Sequence, residues 1–424
     1  MQLKKTKSNF TNFLSDEVKI IFEIFDDRVR LVGGAVRNLL INKKVSDYDF
    51  ATTLLPSEIV KILKKNNIQA ISLAIKYGTI IAVINQKNFE ITTLRKDLDH
   101  KGRDCDVEFV DDYFVDAARR DFTVNALYLD CNGIIYDFFN GIEDLKNSRI
   151  CFIGDANQRI TEDYLRILRF FRFSCEYAKE LDCDSLEACI NNKNYLTKLS
   201  KERIRKEFLL MLASKNYSQL IKILKIFNDE KIINEIISPC LDYKALEKLF
   251  DILDKINFIP DLLLKMVIIF VENFQDLKKI NLDFLDKICA TNSERTKANN
   301  LLSIANSIQN ELSLYGDDAK NNYENLIFKL KQIMLDHESK IVSDAMIFLV
   351  IKNNLPIKNL VEIIEFCNNF HLPEFPLNGN DLLSLNIHGS NIGKALNIAK
   401  RFWLENNFNC EKSQLINYLK KFII

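Results

Sequence analysis

The stretch LVGGAVRNLLINKKVSDYDFATT, residues 31–53, decides the fold and chemistry that this sequence predicts. Gly33 and Gly34 let the backbone approach a phosphate closely, because glycine has no Cβ and tolerates positive φ. Asp47 and Asp49 are separated by one residue, so a strand here would point both carboxylates to one face. Such oxygen ligands suit Mg²⁺. Each feature alone would indicate only a turn or a solvated edge. Together they predict nucleotidyl transfer.

The same stretch resembles a known family. GGAVRN…SDYDFATT is similar to the signature of tRNA nucleotidyltransferases and bacterial poly(A) polymerases of class II, in the polymerase-β-like superfamily. Four further motifs occur in the order of that family, so the resemblance runs from about residue 31 to 212 and then thins to a segment at 376–403. These motifs are RRDFTVNA at 119–126, the set Asp137, Gly141, Asp144 and Leu145, EDYLR at 162–166, and LSKERI at 199–204.

The resemblance implies an α+β protein with a small mixed-sheet nucleotidyltransferase head, followed by an all-helical neck, body and tail. Periodicity agrees, because from about residue 160 apolar residues recur at helical spacing, as in Ile167, Phe170, Phe171 and Cys175. Before the first strand, residues 1–25 are expected to form an amphipathic helix. The expected bounds are 1–145 for the catalytic head, 146–215 for the neck with its nucleotide-selecting helix, 216–371 for the body and 372–424 for the tRNA-binding tail.

The predicted catalytic residues are three carboxylates. Asp47 and Asp49 would hold two Mg²⁺ ions, which bridge the triphosphate and the attacking 3′-hydroxyl, so no protein nucleophile is required. The family carries a third acidic group, which we assign to Glu90 on a predicted strand at 89–94. A solvated strand glutamate is the alternative for Glu90.

Residues of the first, second and fourth motifs are predicted to bind the nucleotide. Asp121 and Asn125 would lie four residues apart on a helix, and the resemblance implies that they bind the ribose hydroxyls. A helix cap for Asp121 and a buried turn for Asn125 are the alternatives. The full nucleotide- and phosphate-binding set is Gly33, Gly34, Arg37, Arg120, Asp121, Asn125, Asp163, Arg166, Arg169 and Arg172.

Asp163 and Arg166 are predicted to select the base. At a spacing of three on a helix they would share a face, with one acceptor and one donor group. Cytosine and adenine complement this polarity, whereas uracil and guanine present a carbonyl to the aspartate and an N–H to the arginine. An ordinary surface ion pair between the two side chains is the alternative.

Residues 95–106 correspond to a flexible loop that, in the family, allows the switch from C to A addition. Arg95, Gly102 and Arg103 are its candidate functional residues, and Lys101 departs from the acidic residue of the family's DGR-type core. The length of the loop argues against an enzyme that adds only CC. A polar loop with no special role is the alternative.

The C-terminal segment 394–424 is predicted to bind RNA through its basic side chains, Lys394, Lys400 and Arg401 among them. It holds six basic residues against two acidic ones, a net charge of +4. Gly389 and Gly393 lead into a helix whose first N–H groups could hold a phosphate. The alternative is a helix whose lysines are merely solvated.

Composition limits the other classes of function. The chain has 58 basic and 58 acidic residues, so any positively charged surface that binds nucleic acid must be a local patch. The ten cysteines form no CxxC pair, no apolar signal segment is evident, and the most apolar stretch, 262–271, is too short to span a bilayer. The four histidines are scattered, which argues against a metal phosphohydrolase domain.

The sequence therefore predicts a cytoplasmic enzyme that adds CCA to the 3′ end of tRNA from CTP and ATP. Poly(A) polymerase, CC-adding and A-adding activities remain close alternatives. A non-catalytic RNA-binding protein on the same scaffold is a remoter one, opposed by the presence of Asp47, Asp49 and Asp121. The oligomeric state stays open.

Overall fold

The computed structural model of the 424-residue chain forms two compact units, residues 1–239 and 240–424. The predicted four-part division remains a prediction. The structure describes residues 3–10, 14–98, 106–234, 236–238, 240–253, 255–256, 258–271, 282–314, 319–353 and 360–423.

The head of the first unit is built on an eight-stranded mixed sheet, which confirms the predicted α+β class. Its spatial order is β1-β10-β9-β2-β3-β6-β5-β4, with β3 and β6 parallel and the other pairs antiparallel. A separate ribbon pairs β7 with β8. The strands are β1 Lys4–Lys7, β2 Val29–Val32, β3 Asp49–Thr52, β4 Gln69–Ala74, β5 Thr79–Ile84, β6 Lys87–Thr93, β7 Arg95–Asp97, β8 Val107–Phe109, β9 Leu127–Leu129 and β10 Ile134–Asp137.

Both faces of the sheet are covered, because successive residues of its central strands point to opposite sides. Leu31 and Phe50 belong to one hydrophobic core, with the buried faces of helices 16–25 and 56–65. Val32 and Ala51 belong to a second core on the other face. This alternation leaves the end of β2, where the Gly33 turn begins, between two packed layers.

The expectation of one helix over residues 1–25 was wrong at its start. Lys4–Lys7 form an edge strand that pairs with β10, and the helix begins only at Asp16. The backbone of this segment gains a ladder of hydrogen bonds on the sheet edge, and the Lys5 ammonium lies 5.1 Å from the ring centre of Tyr136. Neither partner is local in sequence, so the pattern of residues 1–15 could not indicate them.

Ten α-helices complete the described part of the first unit. The longest two are α7 and α10, and α7 packs against α9 and α10 with Ile167, Phe170, Phe171 and Cys175 buried, as its periodicity predicted. The helices are α1 Asp16–Phe25, α2 Gly34–Leu40, α3 Pro56–Lys65, α4 Tyr113–Ala118, α5 Gly141–Lys146, α6 Ala156–Glu162, α7 Leu165–Tyr177, α8 Cys183–Asn192, α9 Lys201–Leu212 and α10 Tyr217–Asp229.

The described residues of the second unit contain helices and no strand, which confirms the predicted helical extension. Residues 377–419 enclose a hydrophobic cluster of their own around Trp403. Among the helices that the structure describes, none is long and apolar enough to cross a membrane. The helices are α11 Tyr243–Leu253, α12 Leu262–Phe270, α13 Asp283–Lys287, α14 Asn292–Leu314, α15 Ala319–Met334, α16 Ser339–Asn353, α17 Leu360–Asn369, α18 Gly379–Leu383, α19 Ser390–Glu405 and α20 Lys412–Ile423.

Candidate functional site

The turn between β2 and α2 requires its first glycine. Gly33 has a φ of +70°, a conformation that side chains with a Cβ rarely adopt. A Cβ built on Gly33 would lie 3.4 Å from Nη1 of Arg120 and 3.5 Å from the backbone oxygen of Asn125. The sequence therefore places an open stretch of backbone directly against two residues of the second motif.

This turn forms one wall of a cleft of about 420 Å³. All ten residues of the predicted nucleotide-binding set line it, together with Asp49 of the predicted catalytic set. Sequence reasoning missed three further lining residues on α7: Phe173, Glu176 and Tyr177. They extend the helix face that carries Arg166 and Arg169, so the spacing of three and four residues could have found them.

Two of the three predicted catalytic carboxylates are brought together by the pairing of β3 with β6, and Asp49 is the one that lines the cleft. Asp49 is the first residue of β3 and stands opposite Glu90 in parallel register. Burial of its carboxylate and the negative charges of Glu90 and Asp47 raise the pKa of Asp49 to about 6, although the positive charge of Arg120 acts in the opposite direction. Repulsion of this kind is relieved by a cation.

Asp47 does not lie on the strand, which corrects the argument from strand alternation. The ladder of β2 with β3 ends at the pair Val32 and Asp49, because the chain leaves β2 at Gly33. Asp47 is exposed in the segment before β3, where it accepts a hydrogen bond of 2.8 Å from Ser46 Oγ. Within the ranges that the structure describes, no three His, Cys, Asp or Glu residues are assembled closely enough to hold a metal ion.

Asp121 anchors a buried polar network on the floor of the cleft. Its carboxylate accepts hydrogen bonds from Arg169, with 2.6 Å between Nη2 and Oδ2, from Asn125 at 3.0 Å and from the Phe122 amide at 2.8 Å. Burial disfavours its charge, but Arg169 and these hydrogen bonds outweigh that effect and hold the pKa at about 2. A short 3₁₀ turn at 123–125 joins Asp121 and Asn125 in place of the expected α-helix, and their predicted contact with the ribose hydroxyls stays a prediction.

Arg37 is buried beside this network. Its guanidinium donates to Asn125 Oδ1, to Asn38 Oδ1 at 3.1 Å and to the Tyr177 hydroxyl at 2.9 Å. It also stacks on the Tyr177 ring, 4.2 Å from the ring centre. These contacts fix the orientation of Arg37 at the cleft wall, and its predicted contact with phosphate stays a prediction.

The other cleft arginines are held by acidic partners behind the wall. Arg172 lies 2.6 Å from Glu207 of α9, measured between Nε and Oε2. Arg120 pairs with Asp116 at 3.1 Å, and the hydroxyl of Tyr128 donates to the same carboxylate at 2.7 Å. Because each guanidinium group pairs with a carboxylate on one side, its remaining N–H groups can face an anion in the cleft.

Asp163 and Arg166 do not share a helix, which corrects the predicted geometry. α6 ends at Glu162, Asp163 is extended with φ −153° and ψ 106°, and α7 begins at Leu165. The Asp163 carboxylate accepts from the Leu165 amide at 3.1 Å, a local side-chain bond that competes with helix continuation. Nor do the two side chains form the alternative ion pair, because Arg166 pairs with Glu162.

The partner of Asp163 is Arg203 of α9, with 2.7 Å between Nη2 and Oδ2. Arg166 donates in addition to the backbone oxygens of Arg159 and Arg119, at 2.7 and 3.2 Å. Arg203 belongs to the fifth motif but was not among the predicted site residues. Because Arg203 lies in the motif LSKERI, the sequence could have indicated it as a site residue.

The predicted flexible loop is described only at its base. Arg95 lies in β7, which pairs with β8, and its guanidinium donates to the backbone oxygen of Tyr77. Gly102 and Arg103 lie outside the described residues. The loop is therefore carried by a two-stranded ribbon that leaves the sheet directly after β6.

The predicted RNA-binding residues lie on α19. Lys394 and Arg401 are exposed, while Lys400 is half-buried and lies 3.7 Å from Asp336. Gly389 precedes the helix with a φ of +59°, and Gly393 lies inside it rather than in the turn before it. Two of the three cations are thus available to solvent.

Comparisons with known proteins identify the family of this chain. A family model described as the poly A polymerase head domain matches residues 29–151, and one described as a probable RNA and SrmB-binding site of polymerase A matches residues 180–228. Human CCA tRNA nucleotidyltransferase 1, mitochondrial, is 30% identical over 438 residues, which cover 99% of this chain and 93% of the human protein.

Two solved structures share the fold. The Bacillus stearothermophilus CCA-adding enzyme in complex with CTP has a TM-score of 0.62 and 22% identity, with 96% of each chain covered. The Thermotoga maritima CCA-adding enzyme complexed with tRNA-CCA has a TM-score of 0.68 and 18% identity, with 100% of each chain covered. Given these matches and the ordered motifs around one cleft, the chain belongs to the CCA tRNA nucleotidyltransferase family.

Proposed function

We propose that this protein adds CCA to the 3′ end of tRNA from CTP and ATP, without a nucleic-acid template. The observation that carries the proposal is the convergence of all ten predicted nucleotide-binding residues and Asp49 on one cleft. The human relative is named a CCA tRNA nucleotidyltransferase, and the solved relatives are named in complex with CTP and with tRNA-CCA. ATP as the second nucleotide and a cytoplasmic location are parts of the proposal, although the human relative is named mitochondrial.

The charges of the cleft support binding of a nucleoside triphosphate. Five arginines line it, and each is oriented by the carboxylate, carbonyl or tyrosine contacts described above. Guanidinium groups that are already oriented bind phosphate oxygens with little further loss of side-chain entropy. These arginines support a pose in which the triphosphate lies along them with its reacting end toward Asp49.

Asp47 and Asp49 would hold the two Mg²⁺ ions that we propose, with Glu90, opposite Asp49 in the sheet, as the third catalytic carboxylate. The donor chemistry fits, because carboxylates are hard oxygen ligands, and burial together with the negative charges of Glu90 and Asp47 raises the pKa of Asp49. When bound, such ions lower the pKa of an attacking 3′-hydroxyl and stabilise departing pyrophosphate. The chain itself supplies the orientation of both reactants.

Base selection is proposed to depend on Asp163 and Arg166, held by separate partners at the cleft. Arg203 fixes the carboxylate of Asp163 as an acceptor, while the carboxylate of Glu162 and two backbone oxygens fix the fork of Arg166 as a donor. Cytosine and adenine can complement both groups through an amino group and a ring acceptor. Uracil and guanine bring a carbonyl to the carboxylate and an N–H to the guanidinium, so repulsion excludes them.

The decisive experiment incubates the purified chain with tRNA that lacks its 3′ end and with labelled NTPs, singly and together, and then sequences the products. We expect CCA ends from the wild-type protein and no addition by Asp49→Asn, with unchanged tRNA binding. Asp27→Asn, an exposed acid outside the cleft, is the matched control and should keep full activity. The match to a poly A polymerase head model favours poly(A) addition as the second candidate, and runs of A in the products would establish it instead. Absence of any addition would refute catalysis.

A further inference from the structure

The segment 193–206 concentrates positive charge in a chain whose net charge is zero. It carries six basic side chains against one acidic side chain, Glu202. Two of the six are engaged within the fold, because Lys193 donates to the backbone oxygen of Glu230 and Arg203 pairs with Asp163. The remaining basic side chains include three that are exposed: Lys198, Lys201 and Lys206.

A stacked pair of tyrosines lies at the same place. The rings of Tyr164 and Tyr195 are 4.7 Å apart between centres and inclined by 20°. Tyr195 remains 41% exposed. The ammonium of Lys198 lies 4.5 Å from the ring centre of Tyr195 and 5.5 Å from that of Tyr164. Part of the Tyr195 side chain is thus open to solvent beside a cation.

This stack adjoins the wall of the cleft. Tyr164 follows Asp163 directly, in the break between α6 and α7. The segment that begins with Tyr195 continues into α9, where Arg203 binds the carboxylate of Asp163. Both tyrosines are therefore connected to Asp163, which we propose to select the incoming base: Tyr164 is its neighbour in sequence, and the segment after Tyr195 supplies its partner Arg203.

We propose that Tyr164, Tyr195 and Lys198 form a stacking platform for an unpaired base near the 3′ end of the RNA acceptor, with Lys198 and Lys201 contacting the adjoining phosphates. Aromatic rings interleaved with basic side chains bind single-stranded nucleic acid with little base preference, because every base has a π face. Such tolerance suits an end whose terminal base changes with each addition. The inference rests on the proposed function, and Tyr195, Lys198 and Lys201 lie within the segment 180–228 that matches a model described as a probable RNA-binding site.

The test compares two RNA minihelices, one blunt and one with a three-nucleotide 3′ overhang that carries 2-aminopurine. Binding to the full chain is measured by fluorescence anisotropy, and stacking by quenching of 2-aminopurine. Tyr195→Ala should weaken binding of the overhang RNA roughly 5- to 100-fold and relieve the quenching. Binding of the blunt RNA should stay within about twofold, since its phosphate contacts are sequence- and end-independent.

Controls separate stacking from folding and from charge. Tyr195→Phe keeps the ring and should retain both affinity and quenching, whereas Tyr195→Leu keeps the bulk and should lose quenching with an unchanged melting temperature. Lys198→Gln should lower the salt slope of overhang binding by about one. Lys179→Gln, at an exposed lysine on another surface of the same unit, should leave that slope unchanged.

Two results would overturn the platform: wild-type binding and quenching by Tyr195→Ala, or equal weakening of both RNAs. The nucleotide-addition assay keeps the two proposals distinguishable. If the wild-type chain adds CCA while the Tyr195 variants bind the overhang normally, the platform is refuted and the proposed function stands. If it adds no nucleotide but quenching depends on Tyr195, the platform stands and the proposed function is refuted.

Discussion

Asp121→Asn should destabilise the first unit in a way that depends on pH. The variant keeps the shape of the side chain but removes the charge that Arg169 binds at 2.6 Å. The pKa of Asp121 is about 2 in the fold, against about 3.9 in an unfolded chain, and each pKa unit corresponds to about 1.36 kcal/mol. The ionised carboxylate therefore stabilises the fold by about 2 to 3 kcal/mol at neutral pH. The variant leaves Arg169 beside the more distant Glu207, 3.7 Å away, which adds to the loss.

The sign of the pH dependence follows from the lowered pKa. The stabilisation by the ionised Asp121 carboxylate is complete above the carboxyl pKa of the unfolded chain, about 4. It is lost as the pH falls through the folded pKa of about 2, so about half of it should remain at pH 3. The difference in free energy of unfolding between wild type and variant should shrink accordingly. The single tryptophan, Trp403, lies in the second unit and does not report on this site. Hydrogen–deuterium exchange of peptides from α7, followed as a function of urea concentration, measures the free energy of unfolding of the first unit instead.

Asp155→Asn is the matched control for this measurement. Its exposed carboxylate caps α6 by accepting from the Gln158 amide, and asparagine caps helices about as well, so stability should change little. A loss below about 0.5 kcal/mol for Asp121→Asn at pH 7, or a loss that is the same at pH 7 and pH 3, would refute the argument that the Arg169 pair holds this carboxylate charged.

Three further predictions concern selection, switching and RNA binding. Arg203→Gln should increase UTP incorporation, because the Asp163 carboxylate loses the partner that fixes it, and we expect the same of Asp163→Ala; sequencing of products checks this, and an unchanged error rate with a lower overall rate would make the pair structural. Deleting residues 99–105 should leave addition of two C residues and abolish the terminal A, and loss of both steps would contradict a role in switching. The double variant Lys394→Gln/Arg401→Gln should lower the salt slope of tRNA binding by about two; a wild-type slope would show that these cations are only solvated.

Features that repeat within one element were predictable from the sequence. The face of α7 that carries Arg166, Arg169 and Arg172 follows from helical spacing, and the same spacing extends it to Phe173 and Tyr177. The absence of a Cβ permits the positive φ that Gly33 adopts in the turn. Local geometry fixes such patterns before any tertiary contact forms.

Contacts between distant segments were decided only by the tertiary structure. Glu90 stands opposite Asp49 because β6 joins β3 in parallel, and a shift of register by one residue would have turned Glu90 to the other face of the sheet. The break at Asp163 and its pairing with Arg203 depend on the packing of α7 against α9, which offers the carboxylate a partner that outweighs continuation of the helix. Residue spacing thus determines which side chains share a face, whereas the packing of separate elements determines which of those faces meet.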